Sequence, residues 1–203
     1  MMKPIPGWAD IPEEMPQRPS LPNGAYVCQI KQVSINPTQY GEQIVLVFDI
    51  CEGEYTGFYT YEFEKNPNVP KKWKGTLKQF LPKNDGSEAD GWSQSRLKGL
   101  ITAFEHSNPG FTWNWDEQSL VGKRVGILTR KEEWAVNGKS GWSVRPFRAI
   151  SIDRVHKGDF TLPKDKPLKD KPAATTFDTF GSFSATANTD PYPISDDDSE
   201  LPF

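Results

Sequence analysis

The sequence is poor in residues that build reactive centres, since its 203 residues include only two cysteines and two histidines. Cys28 and Cys51 do not form a metal-ligand spacing, so we expect two reduced and mostly buried thiols. His106 and His156 belong to no pattern typical of a nucleophile or a metal-binding helix, and no phosphate-binding glycine loop is present. The sequence therefore predicts that the protein is not an enzyme and that it holds no metal or other cofactor.

Long apolar runs are also missing. No stretch approaches the roughly eighteen apolar residues that a membrane-spanning helix requires. Residues 1–15 contain prolines and acids where a signal peptide would have an apolar run. We therefore expect no contact with a membrane and a cytoplasmic location.

Charge and aromatic residues are distributed unevenly along the chain. The formal net charge is -3, but residues 1–160 are nearly neutral and residues 161–203 contain twice as many acidic as basic residues. Aromatic residues make up 12% of the chain and include seven tryptophans, more than a core of this size requires. We expect one buried domain with an acidic appendage, and some of the tryptophans facing solvent or a ligand.

Alternating apolar residues predict strands at 24–35, with a bulge near Lys31, at 44–50 and at 57–63. Apolar residues at helical spacing predict a helix over 93–107, and strands follow at 121–131 and 140–152. Asn137 and Gly138 tolerate the positive φ of a tight hairpin between the last two strands. An all-β chain with one helix, placed between strands three and four, is typical of the OB-fold, a five-stranded Greek-key barrel.

Composition divides the chain into three parts. We expect the barrel within residues 1–162 and a flexible linker over 163–195, where prolines and alternating charges give way to Ala, Thr and Ser. The last part, residues 196–203, is an acidic tip.

A basic segment over residues 65–83 gives the strongest binding signal, because it contains six lysines and two aromatic residues but no acid. Its lysines can neutralise phosphates while Trp73 stacks on a base, as in proteins that bind single strands. In the alternative interpretation it is a solvated loop with Trp73 and Phe80 packed beneath it. The candidates taken from it are Lys71, Lys72, Trp73, Lys74 and Lys78.

The hairpin around Asn137 and Gly138 is a second candidate, because an OB-fold grips oligonucleotides with this loop and with the loop between strands one and two. Glu132 and Glu133 count against it. Tyr59 and Tyr61 form a stacking platform if their strand faces them outward, and fill the barrel if it faces them inward. These sites supply the candidates Arg130, Lys131, Trp134, Lys139, Trp142, Arg145, Tyr40, Tyr59 and Tyr61.

The acidic tip ends in an aromatic residue, and it resembles the C-terminal tip of bacterial single-stranded-DNA-binding proteins. It offers a partner carboxylates and an apolar ring together, from Asp196, Asp197, Asp198, Glu200, Leu201, Pro202 and Phe203. The resemblance implies that the tip recruits replication or recombination proteins.

The body resembles a family of phage-encoded proteins thought to include single-stranded-DNA-binding proteins. The resemblance lies in residues 21–26, 50–55 and 120–123, with Asn108 closing the helix. It implies sequence-tolerant binding of single-stranded DNA during phage replication or recombination in the host cytoplasm. Alternatives are a protein adaptor with no preference for single strands and a virion component, and a homo-oligomer is compatible with each.

Overall fold

The computed structural model describes residues 20–67 and 69–168 of the chain. The strands are β1 (Ala25–Thr38), β2 (Gly41–Ile50), β3 (Thr76–Phe80), β4 (Arg124–Val136) and β5 (Lys139–Ile150). The α-helices are α1 (Phe58–Lys65), α2 (Glu88–Ser107) and α3 (Ile152–Lys157), and a 3-10 helix spans Glu117–Leu120. The prediction of a single helix is therefore wrong, although the protein is mostly β.

The five strands form one antiparallel sheet in the order β3-β2-β1-β4-β5. The register of β1 against β2 shifts between Ile30 and Gln32, which confirms the predicted bulge. Asn137 and Gly138 have φ values of 50° and 73°, as a two-residue hairpin turn requires, so this turn is also confirmed. None of the helices in the described part of the chain has the length and apolar character needed to cross a membrane.

The core lies between the sheet and α2. Phe48, Ile127 and Phe104 are almost fully buried in it. Helix α2 begins at Glu88, five residues before its predicted start, where Ser87 caps it by accepting a hydrogen bond from Asp90 N. The early turns bury the polar Asp90 rather than apolar residues, so the hydrophobic periodicity did not reveal them.

The predicted strand at 57–63 is wrong, because this segment forms α1. Gly57 precedes the helix with a φ of 75° and has no side chain to cap it. Instead Asp49 on β2, only 5% exposed, accepts hydrogen bonds from Tyr59 N at 2.9 Å and Thr60 N at 3.1 Å. These N–H groups lie in the first turn of the helix and have no partner within it, so a carboxylate distant in sequence stabilises α1.

Strand β3 lies inside the basic segment. Gly75 leads into it and accepts a hydrogen bond at 2.9 Å from Phe48 N. A Cβ atom at Gly75 would lie 2.4 Å from the carbonyl oxygen of Phe48 and 2.7 Å from the ring of Tyr59. Only glycine permits this approach of β3 to β2 and α1.

The chain after α3 returns to β4. Lys166 N donates to Lys131 O at 2.9 Å, and Glu133 N donates to Lys166 O at 2.9 Å. Within the predicted linker, Lys166 therefore pairs with β4, and residues 169–203 lie outside the described part of the chain.

Candidate nucleic-acid interface

Trp73 lies in the loop before β3, where it is half-buried. Its indole Nε1 donates to Phe48 O at 3.1 Å and to Gly75 O at 3.2 Å. The ring of Phe63 lies 5.6 Å away between centroids, and Lys31 Nζ lies 5.2 Å from the indole centroid. Trp73 is thus an anchor beneath the basic loop, with a cation over its ring.

The lysines of the basic segment surround this anchor and are exposed. Lys74 pairs with Glu62 at 2.7 Å, while Lys71 Nζ donates to Glu64 O at 2.9 Å and lies 5.7 Å from the Phe63 centroid. Lys78 projects from β3 opposite Val45. Lys72 is exposed in the loop beside Trp73. The surface is basic, but Glu62 neutralises part of its charge.

Lys31 joins this surface from the bulge of β1. It pairs with Asp49 at 3.5 Å and donates to Thr60 Oγ1 at 3.1 Å. A depression of about 430 Å³ opens beside it, with Tyr61 and Glu64 in its wall. The phase slip in the β1 sequence was the only signal that could have drawn attention to Lys31.

The two tyrosines of α1 occupy different environments. Tyr59 is 4% exposed and packs edge-on against Phe48, with 5.6 Å between ring centroids. Burial raises the pKa of Tyr59 well above its ordinary value. Tyr59 is therefore a core residue and cannot stack on a ligand, whereas Tyr61 is exposed beside the depression.

The β4–β5 hairpin separates its candidate residues onto two faces. Arg130 lies opposite Arg145 and Trp134 lies opposite Gly141, so Arg130, Trp134, Lys139 and Arg145 share one face. Trp134 covers Gly141, since a Cβ there would lie 3.1 Å from its ring. Trp142 and Lys131 belong to the other face, where Trp142 is 50% exposed.

Both acids of this hairpin have partners in the structure. Glu132 accepts hydrogen bonds from the guanidinium of Arg130. Glu133, opposite Trp142, accepts a hydrogen bond from Leu168 N at 3.2 Å. The charge of Glu132 is therefore offset by Arg130, which is itself a candidate contact, while Glu133 is bonded to a neutral backbone group.

Tyr40 lies in the two-residue turn between β1 and β2 and is exposed. The neighbouring Gly41 is close to Lys83, whose Cε would lie 3.1 Å from a Cβ at Gly41. The β1–β2 turn therefore adjoins the end of the basic segment, which brings Tyr40 near one of its lysines.

An aromatic loop between α2 and β4 was overlooked in the sequence. Trp115 is 80% exposed and has a φ of 67°, a strained conformation for a bulky residue. Its ring centroid lies 6.4 Å from that of Trp113, and Lys123 Nζ lies 5.0 Å from the Phe111 centroid. The alternating aromatic residues at 111, 113 and 115 were the available signal in the sequence.

No protein-family model matches the chain, and no curated protein matches its sequence. Within residues 20–67 and 69–168, no three His, Cys, Asp or Glu side chains are grouped as metal ligands would be. Cys28 and Cys51 are both free thiols, and the buried position raises the pKa of Cys28. The candidate partner-binding residues 196–203 lie outside the described residues. Basic and aromatic side chains around the sheet are thus the chemistry on which a functional proposal can rest.

Proposed function

We propose that the protein binds single-stranded DNA with little sequence preference, on the basic and aromatic surface of an OB-fold barrel. The observation that carries the proposal is the strand order β3-β2-β1-β4-β5 with α2 between β3 and β4 in the chain. That order, with β3 and β5 at the edges of an open sheet, is compatible with an OB-fold, a five-stranded and partly open Greek-key barrel.

The position of the candidate residues supports the same function. OB-folds bind oligonucleotides on the face of strands two and three and with the loops that join strands one to two and four to five. The β1–β2 turn presents Tyr40, the β4–β5 hairpin presents Trp142, and β3 presents Lys78. Tyr59 is left out as a core residue and Trp73 as the anchor beneath the basic loop. The proposed DNA contacts are Tyr40, Tyr61, Lys71, Lys72, Lys74, Lys78, Arg130, Lys131, Trp134, Lys139, Trp142 and Arg145.

Two physical terms drive binding in this proposal. Stacking of a base on an aromatic side chain contributes about 1–3 kcal/mol, and every base has a flat face to offer. Each phosphate neutralised on a single strand adds about -0.7 to the slope of log K against log salt. Binding therefore tolerates any sequence and weakens steeply as salt rises.

The acidic tip, residues 196–203, has the role of recruiting replication or recombination proteins in this proposal. Its carboxylates also compete with DNA for the same lysines, at the high effective concentration that a tether provides. Phage replication inside a bacterial host remains the setting that the sequence resemblance suggests.

A protein adaptor without a single-strand preference is the second candidate. It is favoured by the pairing of two proposed contacts, since Lys74 bonds to Glu62 and Arg130 bonds to Glu132. A surface whose cations already have partners suits a protein ligand of mixed charge better than a polyphosphate.

Tryptophan fluorescence during titration with a thymidine oligomer distinguishes a single-stranded-DNA-binding protein from a protein adaptor. Stacking on Trp142 quenches its emission, and the titration gives an affinity that falls with salt. The absence of both quenching and an electrophoretic mobility shift at low salt would leave the adaptor as the better description.

A further inference from the structure

Three arginines from three elements surround one phenyl ring. The guanidinium carbon of Arg130 on β4 lies 4.4 Å from the Phe147 centroid. Those of Arg148 on β5 and Arg96 on α2 lie 5.8 Å and 5.9 Å from the same centroid. Phe147 is the extra residue of a bulge, since Leu128 pairs with Arg148 and Thr129 pairs with Pro146.

Arg96, Arg130 and Arg148 are called the arginine cluster. The neighbouring carboxylates are too few to balance its positive charge. Glu132 pairs with Arg130, but in the described part of the chain neither Arg96 nor Arg148 has an ion pair. The pKa of Arg96 is lowered, first by burial and then by the charges of Arg148 and Arg130. Like charges brought together repel one another, so an anion would stabilise the arrangement.

Arg130 already donates from Nε and Nη2 to Glu132, so Arg96 and Arg148 are the guanidinium groups of the cluster that can bind such an anion, and Arg130 adds its charge. A guanidinium above an aromatic ring uses its flat face, while its N–H groups point outward along its edges. These edges form paired hydrogen bonds to phosphate oxygens. Arg96 also covers Trp92, one helical turn before it on α2, with 4.6 Å between its guanidinium carbon and the ring centroid.

Trp92 distinguishes a nucleic acid from an acidic peptide as the ligand. Its side chain is 55% exposed although it adjoins the arginines. A carboxylate-rich peptide needs only the cations, whereas a polynucleotide places a flat base beside each phosphate. The exposed indole of Trp92 beside the arginine cluster therefore favours a polynucleotide.

We infer that Arg96, Arg130 and Arg148 form a phosphate-binding site for single-stranded DNA, with Trp92 as its stacking surface. The inference rests on the proposed function and extends it, because α2 carries none of the contacts proposed above. Arg130 belongs both to the hairpin face and to this cluster. The DNA strand thus continues from the β4–β5 hairpin across Phe147 to α2.

The test is the double variant R96Q/R148Q, which removes the two cations of the cluster that have no ion pair within residues 20–67 and 69–168. Its matched control is R154Q/K157Q, which removes two positive charges from exposed positions on α3. Fluorescence anisotropy of a labelled thymidine oligomer, measured over a salt series, gives the slope of log K against log salt. We expect R96Q/R148Q to reduce the steepness of that slope by about 1.4, for two lost phosphate contacts, and the control to leave it unchanged.

Three further variants keep the test decisive. W92A should reduce the quenching of tryptophan fluorescence by the oligomer. If the double variant does not fold, R148Q should reduce the slope by about 0.7 and R148K should restore most of it, because Arg148 is exposed.

The outcomes separate this site from the function on which it rests. If the wild-type protein binds DNA and R96Q/R148Q keeps the slope of the control, the site is refuted while the function stands. If the wild-type protein binds no DNA, both are refuted. The third outcome is that R96Q/R148Q no longer binds a labelled peptide of residues 194–203 but keeps the wild-type slope of log K against log salt for DNA. That result would assign the cluster to an acidic peptide and overturn the inference.

Discussion

Asp49 on β2 and Tyr59 on α1 are joined by a hydrogen bond of 2.9 Å from the backbone N–H of Tyr59 to the buried carboxylate. We predict that D49A lowers the free energy of unfolding by about 1–3 kcal/mol, because the first turn of α1 loses its acceptor. Urea denaturation measures this change. D153A, which removes an exposed carboxylate on α3, is the control, and equal stability of the two variants would contradict the assigned cap.

Gly75 and Gly99 give opposite predictions for the same substitution. G75A should destabilise the protein by about 1–3 kcal/mol or more, because the new Cβ would meet the carbonyl oxygen of Phe48. G99A should stabilise α2 by about 0.5–1 kcal/mol, since nothing lies within 4 Å of that position. Thermal denaturation of both variants tests the pair, and a tolerated G75A would show that β3 approaches β2 less closely than described.

Burial of tyrosine side chains limits the stability of the protein at alkaline pH. It raises the pKa of Tyr26 from 10.0 to about 12, and it also raises that of Tyr59. The fold favours the neutral phenols, so this contribution to stability is fully present below pH 10.0 and is lost as the pH approaches about 12. Titration of tyrosinate absorbance should show these two groups ionising late, and Y26F should reduce the loss of stability at high pH. Ionisation of all six tyrosines near pH 10.0 in the folded protein would contradict this.

Trp142 and Trp73 should respond differently to substitution. W142A should weaken binding of a thymidine oligomer by about 1–3 kcal/mol and leave stability nearly unchanged, because this ring is half exposed. W73A should lower stability, because its Nε1 donates to two backbone carbonyls. Anisotropy and urea denaturation of each variant separate the two effects. Normal DNA affinity in W142A would remove this ring from the interface.

Removal of residues 196–203 should tighten DNA binding, most strongly at low salt where the acidic tip competes best for lysines. The same truncation should abolish capture of replication partners. Anisotropy at two salt concentrations measures the first effect. A full-length variant with Asp196, Asp197 and Asp198 changed to Asn is the matched control for charge. Unchanged affinity in both proteins would show that the tip does not compete.

The sequence predicted those elements whose signals are local. Alternating apolar residues predicted β2, and the Asn137-Gly138 pair predicted the turn between β4 and β5. The spacing of Leu97, Leu100 and Phe104 predicted the apolar face of α2. Helix α1 was missed because its cap comes from Asp49 and its aromatic residues resemble those of a strand. Strand β3 was missed because only Leu77 of its five residues is buried.

The candidate site was predictable to a similar degree. Local clustering of lysines identified the basic segment, but it could not show that Glu62 pairs with Lys74 or that Trp73 is an anchor. The arginine cluster was invisible because Arg96 and Arg148 are distant in sequence and meet only when α2 packs on β5.

The most direct test of the central claim is a comparison of single-stranded and duplex DNA of equal length in dilute buffer. Fluorescence anisotropy with a labelled thymidine oligomer, and with its duplex, measures both affinities for the full-length protein. We predict clear binding of the single strand, much weaker binding of the duplex and a steep decline of both with salt. Equal and poor binding of the two would contradict the claim.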